Sequence, residues 1–192
     1  PLFMTIEYSL MRRMFGWDLD NPDDLRPILR VMIATLIKLP HAIALVFLAL
    51  LLRLFMTDAR RAAALLLITA YATPLLGYSL QLNNHTPAAA ALIVALYFGL
   101  GMYAGRLKPA GWRFAFFGLA SAYVFTMDMP ATIFPAFMGG LLFLRYPRQS
   151  LLWGGLGAAP LLLLHFGLMA YITGNPMPVQ TRESMYNFRN SY

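Results

Sequence analysis

Residues 62–105 read AAALLLITAYATPLLGYSLQLNNHTPAAAALIVALYFGLGMYAG and contain no charged side chain. These 44 positions are enough for two membrane-spanning helices of about 20 residues each. Of the 192 residues in the chain, 59% are hydrophobic and 12% are charged, whereas an average soluble domain has about 25% charged residues. This composition excludes a water-soluble globule and predicts a polytopic membrane protein.

The rest of the chain continues this pattern and predicts an all-α fold. Apolar runs alternate with short charged clusters, which is typical of transmembrane helices joined by polar loops. We expect a bundle of about six transmembrane helices, covering residues 28–55, 62–82, 87–105, 113–127, 130–145 and 150–173. The expected domains are an interfacial amphipathic helix at 1–16, the bundle at 17–174 and the start of an external segment at 175–192.

The N-terminal segment has the pattern of a helix that lies on the membrane surface. Apolar side chains such as Phe3, Ile6 and Leu10 fall on one side of this helix. Arg12 and Arg13 are then available to anionic lipid headgroups.

A cluster of acidic residues follows at positions 18–24. Asn21 is a good N-cap, Pro22 suits the first helical position, and acidic residues in the first turn complement the helix dipole. Capping therefore explains the cluster, with a metal site as the alternative. No set of His, Asp and Glu has metal-ligand spacing, so the sequence assigns no metal ligand and no certain cofactor, while a divalent cation stays an open alternative.

Among the short loops that join the apolar helices, Lys and Arg residues lie at one set of helix ends only. Eight of them lie in these loops, namely Arg53, Arg60, Arg61, Arg106, Lys108, Arg113, Arg145 and Arg148. The opposing turns at 83–86 and 127–129 have none. Because basic loops remain in the cytoplasm, we expect these two turns at the outer, periplasmic face of the cell (inner) membrane. The net charge of +7 does not indicate nucleic acid, because the cations form no basic face.

Polar residues concentrate in the first of these turns. Thr86 can cap the next helix and Pro87 can open it. Asn83, Asn84 and His85 exceed the needs of a turn, and polar residues at membrane depth are usually functional. Turn chemistry and substrate contact are both open for this segment.

Asp128 is the single charged residue between Arg113 and Arg145. It can cap the helix that Pro130 opens, or it can be a functional carboxylate. Since both outward turns begin helices, their N-termini are also candidate sites for a lipid phosphate. On the apolar helices, His41 and His165 are expected to form helix–helix hydrogen bonds.

In order and composition, the chain resembles the membrane half of GT-C glycosyltransferases, the superfamily of protein O-mannosyltransferases and lipid A aminoarabinose transferases (glycosyltransferase family 39-like). Pro1-Leu2, followed by an amphipathic helix, resembles the end of the family's Lys-Pro-Pro-Leu stretch. Phe15-Gly16 resembles the short Phe-Gly turn that precedes the family's next helix. Asn84-His85-Thr86-Pro87 and Met127-Asp128-Met129-Pro130 resemble the family's outward turns, often Asp-Met-Pro and Lys-Gly-Pro. His165 to Pro176 is similar to the last span before the later outer segments.

The resemblance implies an enzyme that transfers a sugar from a polyprenyl-phosphate-linked donor to an acceptor at the outer face. Its catalytic carboxylate would precede Pro1, and since the chain opens without an initiator Met we expect an internal fragment. The implied substrate-binding residues are Asn83, Asn84, His85 and Asp128, and the implied lipid-headgroup ligands are Arg12 and Arg13. Here His85 stands where members of the family often have Asp, and Asp128 stands where they often have Lys. The alternative is a multi-pass transporter or lipid flippase, which the same hydropathy and polar turns fit.

Overall fold

The computed structural model describes residues 2–176, with the backbone alone at positions 2, 3, 74 and 75. The described residues form helices and no strand, which confirms the predicted all-α class for this part of the chain. The helices are α1 (Leu2–Phe15), α2 (Pro22–Phe55), α3 (Ala59–Tyr71), α4 (Pro74–Tyr78), α5 (His85–Tyr103), α6 (Gly111–Met127), α7 (Met129–Arg145) and α8 (Pro147–Thr173). The expected external segment 175–192 lies outside the described residues, apart from Asn175 and Pro176.

The start of α2 agrees with the sequence. The Asn21 side chain accepts a hydrogen bond from the Asp23 N–H at 3.2 Å, and Pro22 occupies the first helical position. Before it, α1 ends as Gly16 adopts a φ of +72°, a left-handed conformation that glycine takes without a steric penalty. Local chemistry therefore determines this boundary.

α1 is docked on the first half of α2. Met11 packs in a buried cluster with Ile28 and Met32. The Thr35 hydroxyl also donates a hydrogen bond to the Glu7 carboxylate. These contacts fix the position of the N-terminal helix relative to the bundle.

α2 contains a π-helical turn at Ala34–Lys38, just before Pro40. Pro40 has no N–H, and in a regular α-helix its ring would clash with the carbonyl four residues earlier. The wider π turn relaxes this clash. The helix therefore continues through Pro40 for 34 residues in all.

A continuous second span at 62–82 is a wrong prediction. α3 ends at Tyr71, and after a break the chain forms only the five-residue α4. Thr73 precedes Pro74, and a residue before proline disfavours the helical region. At 13 residues, α3 is about 20 Å long, shorter than the hydrocarbon core of about 30 Å.

α5 lies at the centre of the bundle and packs against α2, α6 and α7. The apolar core consists of Ala95, Phe98 and Met102 from α5, Phe114, Phe117 and Ala120 from α6, and Met138 and Leu142 from α7. Half of the residues in the apolar stretch of α5 are buried, whereas no residue in the apolar stretch of α8 is buried. The interior of the molecule is therefore built around α5.

α6 and α8 cross with their backbones in contact. A Cβ atom placed on Gly118 would lie 2.0 Å from the Gly154 carbonyl oxygen, and one on Gly157 would lie 2.0 Å from the Ala115 carbonyl oxygen. Small residues permit this close approach, as they do between helices in membranes.

Three helices, α2, α5 and α8, are long and apolar enough to cross a membrane. Large apolar side chains also face outward, such as Leu144, which is 80% exposed, and Leu163, which is 73% exposed. A water-soluble monomer rarely exposes such surfaces, and the chain is a helical membrane protein. α6 and α7 have 17 residues each, about 26 Å, so a total of about six spans stays a prediction.

Candidate functional site

The start of α5 and the end of α6 meet at one end of the bundle. The Nδ1 atom of His85 lies 2.9 Å from Oδ2 of Asp128. Beside this pair, the Asn84 side-chain amide donates to the Met127 carbonyl at 2.7 Å. The structure thus brings together Asn84, His85 and Asp128, three of the four residues that the sequence nominated for substrate binding.

Asp128 does not cap α7. No side-chain hydrogen bond from Asp128 reaches the first turn of that helix. Its carboxylate instead faces His85, and the two side chains are 22% and 56% exposed, respectively. The capping alternative for Asp128 is therefore wrong.

Asn83, the fourth nominated residue, uses its whole carboxamide on the backbone. Its oxygen accepts a hydrogen bond from the Thr86 N–H at 2.8 Å, and its nitrogen donates to the carbonyls of Tyr78 and Gln81 at 2.7 and 2.8 Å. Asn83 therefore holds the turn, and only the second lone pair of its oxygen is left for another donor, so substrate contact by Asn83 stays a prediction.

Capping of α5 by the Thr86 side chain is also a wrong prediction. Thr86 lies inside the first turn of α5 and is only 1% exposed. Its hydroxyl has no hydrogen-bond partner among residues 2–176. Asn83, three residues earlier, does the capping instead.

The helix N-termini at this site have few free N–H groups for an anion. At α5, Asn83 takes one N–H, and Pro87 has none. At α7, Pro130 has none, and the Ala131 N–H bonds to the Asp128 carbonyl at 3.1 Å. The turns at 83–87 and 127–130 contain no Lys or Arg. The structure therefore does not support the phosphate site expected at these N-termini.

An apolar groove of about 340 Å³ lies between helices that include α5 and α6. Its walls come from α2, α5, α6 and α8, with Pro40, Pro87, Val94, Phe116, Tyr123 and Leu161 among the lining residues. Pro87 follows His85 by two residues and Tyr123 precedes Asp128 by five, which is about 3 and 8 Å along the helix axes. The groove and the polar pair therefore share α5 and α6, but neither His85 nor Asp128 lines the groove.

Tyr78 is a site residue that the sequence reasoning missed. Its ring centre lies 5.9 Å from that of His85. It was overlooked because residues 62–82 were interpreted as one helix. Pro74 and Gly77 were the available signal, since both residue types mark turns.

Arg12 and Arg13 have different surroundings. Arg12 Nη2 lies 3.2 Å from the Asp18 carboxylate, whereas Arg13 is exposed and has no partner in the described part of the chain. A hydrogen bond from the Asp20 N–H, together with Arg12 and Tyr8, lowers the pKa of the Asp18 carboxyl below its ordinary value of 3.8. Arg12 thus fastens α1 to the following loop, whereas Arg13 is free, and lipid-headgroup contact by the two residues stays a prediction.

The acidic residues at 18–24 form hydrogen bonds with one another and with the backbone. The Asp18 N–H donates to Asp24 at 3.1 Å, and the Asn21 amide donates to the same carboxylate at 3.0 Å. Within residues 2–176, no group of three or more His, Asp and Glu side chains is arranged to hold a metal ion. Capping and loop bonding account for this cluster.

The basic loops collect at the opposite end of the bundle. The Arg145 guanidinium donates to the Tyr103 carbonyl. A Cβ atom on Gly101 would meet both Leu107 and Leu54. The ends of α2, α5 and α7 therefore meet far along α5 from His85.

The fold and the site define a helical membrane protein with a polar site at one end of its bundle. No protein-family model matches the chain, and no curated protein or solved structure is significantly similar to it.

Proposed function

We propose that the chain is the membrane part of a glycosyltransferase of the GT-C type, which moves a sugar from a polyprenyl-phosphate-linked donor to an acceptor. The observation that carries the proposal is that His85, Asp128 and Asn84 meet where α5 begins and α6 ends, and that these two helices also form walls of an apolar groove. A ligand with a hydroxylated head and a hydrocarbon tail fits this combination.

The polar atoms left free suit the hydroxyl groups of a sugar. Oδ1 of Asp128, Oδ1 of Asn84 and Nε2 of His85 have no hydrogen-bond partner among the described residues. A sugar carries several hydroxyl groups, and each can both donate and accept a hydrogen bond, so different hydroxyl groups of one sugar can satisfy these atoms. Since neither a cation nor a row of free N–H groups lies in the two turns, the sugar fits this position better than the phosphate.

The groove suits the tail of the donor. Its volume of about 340 Å³ falls within the range of about 300–1,000 Å³ for ligand sites. Three of the four helices that form its walls, α2, α5 and α8, are long and apolar enough to cross a membrane. A prenyl chain would therefore reach the groove from the lipid.

The proposed site faces the outside of the cell (inner) membrane. The eight cations of the opposite loops favour the cytoplasm, and the turns that carry His85 and Asp128 resemble the outward turns of the family. A donor held there would meet its acceptor at the outer face.

Sugar transfer by the full-length protein in proteoliposomes tests this proposal. Polyprenyl phosphates carrying radiolabelled hexose or aminoarabinose would be the donors. We expect Asp128→Asn to lower transfer about ten- to a hundredfold, as the loss of one hydrogen bond to a charged group costs about 1.5–3 kcal/mol. Asp20→Asn, an acidic position away from the groove, is the matched control and should keep full activity.

The same assay separates the transporter alternative. Labelled lipid that reaches the opposite leaflet with its sugar still attached would support a flippase and contradict a transferase. Full transfer by Asp128→Asn would show that this end of the bundle is not the site.

A further inference from the structure

A second cavity lies between α6, α7 and α8, and it shares no lining residue with the apolar groove. Its volume is about 270 Å³, it is partly open, and its lining is mostly apolar, with Phe117, Gly139 and Ala158 each contributed by a different helix. Gly155 also lines it, and nothing lies within 4 Å of the Cβ position of this glycine. The side chains of the three helices therefore leave this space unfilled.

The cavity is flanked by basic residues. Three arginines lie within three positions of a lining residue in the chain, namely Arg113, Arg145 and Arg148. Between positions 104 and 176 the single acidic residue is Asp128, which follows the opposite end of α6. The charge contributed by these three helices around the cavity is therefore positive.

The three arginines keep this charge without a carboxylate partner. Arg113 and Arg145 donate hydrogen bonds to backbone carbonyls, which leaves the charge of each guanidinium in place. Arg148 is exposed and has no hydrogen-bond or ion-pair partner among residues 2–176. An anion at this end of the bundle would therefore meet cations that no acidic side chain of the described chain neutralises.

Aromatic rings lie at the same level of the bundle. Trp153 packs on Gly111, whose Cβ position is 2.7 Å from the indole ring. The Arg113 guanidinium lies 4.9 Å from the ring centre of Trp112. Since Trp concentrates at the boundary between lipid chains and headgroups, these rings indicate that the arginines lie at headgroup depth and that the cavity extends into the region of the chains.

We propose that this cavity binds an anionic phospholipid, with part of one acyl chain between α6, α7 and α8 and the phosphate group beside Arg148. Basic pockets between transmembrane helices attract such headgroups, and a chain that fills an empty apolar space gains dispersion contacts. An ester oxygen of the lipid would also give a partner to the Ser150 hydroxyl, which is buried and has none among residues 2–176. This inference is independent of sugar transfer.

Native mass spectrometry of the full chain in detergent tests the charge requirement. Phosphatidylglycerol and phosphatidylcholine with the same acyl chains would be titrated separately, and we expect phosphatidylglycerol to bind more tightly. Arg148→Gln should lower the affinity for phosphatidylglycerol about fivefold, the equivalent of about 1 kcal/mol. Arg60→Gln is the matched control, because it removes a cation from α3, which packs against α2 and α4. Equal affinities of the unaltered protein for the two lipids would overturn the inference.

The same titration with Gly155→Leu tests the place of the chain. This leucine would fill part of the cavity without a clash at its Cβ atom, so we expect the tight binding of phosphatidylglycerol to be lost. Gly167→Leu, 12 residues further along α8 and equally free of neighbours at its Cβ position, should bind like the unaltered protein. Equal binding by the two leucine variants would contradict the proposal.

Glycerol 3-phosphate, a headgroup without a chain, distinguishes a lipid site from a simple anion site. We expect it not to displace phosphatidylglycerol at equal concentration. Displacement by glycerol 3-phosphate would show that the arginines bind the anion without help from the cavity, and it would overturn the inference. If Gly155→Leu does not fold, this competition and the Arg148→Gln titration decide the question.

Discussion

At the scale of single residues, the Asn83 side chain stabilises the turn, whereas the Thr86 side chain destabilises it. Asn83 satisfies the Thr86 N–H and two carbonyl groups with one side chain. Thr86 buries a hydroxyl without a partner in the described structure, and such a group costs free energy. The turn is therefore stabilised at one position and destabilised three residues later.

We expect Asn83→Ala to lower the free energy of unfolding by about 0.5–2 kcal/mol, the usual cost of losing an N-cap. Thr86→Val, which replaces the hydroxyl with a methyl group of similar shape, should raise it by about 1 kcal/mol. Thermal unfolding of both variants in one detergent, followed by circular dichroism, gives the comparison. A Thr86→Val variant as unstable as Asn83→Ala would mean that the Thr86 hydroxyl is the cap.

At the scale of helices, the α6–α8 crossing depends on glycines. We expect Gly118→Ala and Gly157→Ala each to cost about 1–3 kcal/mol, because the new methyl group would meet a carbonyl of the partner helix and the backbones must move apart. Gly167→Ala is the control in α8, since nothing lies within 4 Å of its Cβ position, and alanine should be neutral or stabilising there. Equal melting temperatures for all three variants would show that the crossing is not close.

The docking of α1 should depend on pH through Asp18. A carboxyl whose pKa is lowered by folding stabilises the fold above its unfolded value, and that stabilisation is lost as the pH falls through the lower, folded value. We therefore expect α1 to loosen only below about pH 3.8, the ordinary value for this carboxyl. Asp18→Asn should loosen it at neutral pH as well.

Trp17, which packs on the cluster under α1, reports this loosening. Its fluorescence, measured with Trp112 and Trp153 replaced by Phe, should become more accessible to acrylamide in Asp18→Asn but not in Asp20→Asn. Identical quenching in Asp18→Asn and the parent would remove Asp18 from the docking of α1.

Helix boundaries that depend on residues close together in the sequence were predictable, whereas contacts between distant helices were not. Asn21 and Pro22 define the start of α2 through bonds within a few residues, so the boundary was readable. The break before Pro74 was missed because the hydropathy of residues 62–82 outweighed a single proline. The outer turns were expected to share a site, but the pairing of His85 with Asp128 depends on how α5 and α6 cross, and no local pattern encodes that geometry.

At the scale of the whole molecule, the orientation in the membrane follows from charge. The chain contains no cysteine, so single cysteines report topology without background. We expect a membrane-impermeant maleimide to label Gln81→Cys on intact cells and to leave Lys108→Cys unlabelled until the membrane is opened. The reverse result would invert the bundle and place the His85–Asp128 pair in the cytoplasm.

The π turn of α2 lies between the half of this helix that contacts α1 and the half that packs against α5 inside the bundle. One extra residue in a helix rotates everything beyond it by about 100°, so the two halves of α2 present different faces to different partners. The first half holds α1 through Met32 and through Thr35, which lies inside the π turn itself. The second half packs Phe47 against the rings of Tyr97 and Phe98 in α5. The π turn before Pro40 thus sets the angle between the two halves of α2. Removal of one residue from this turn would rotate the face that contacts α1 relative to the face that contacts α5.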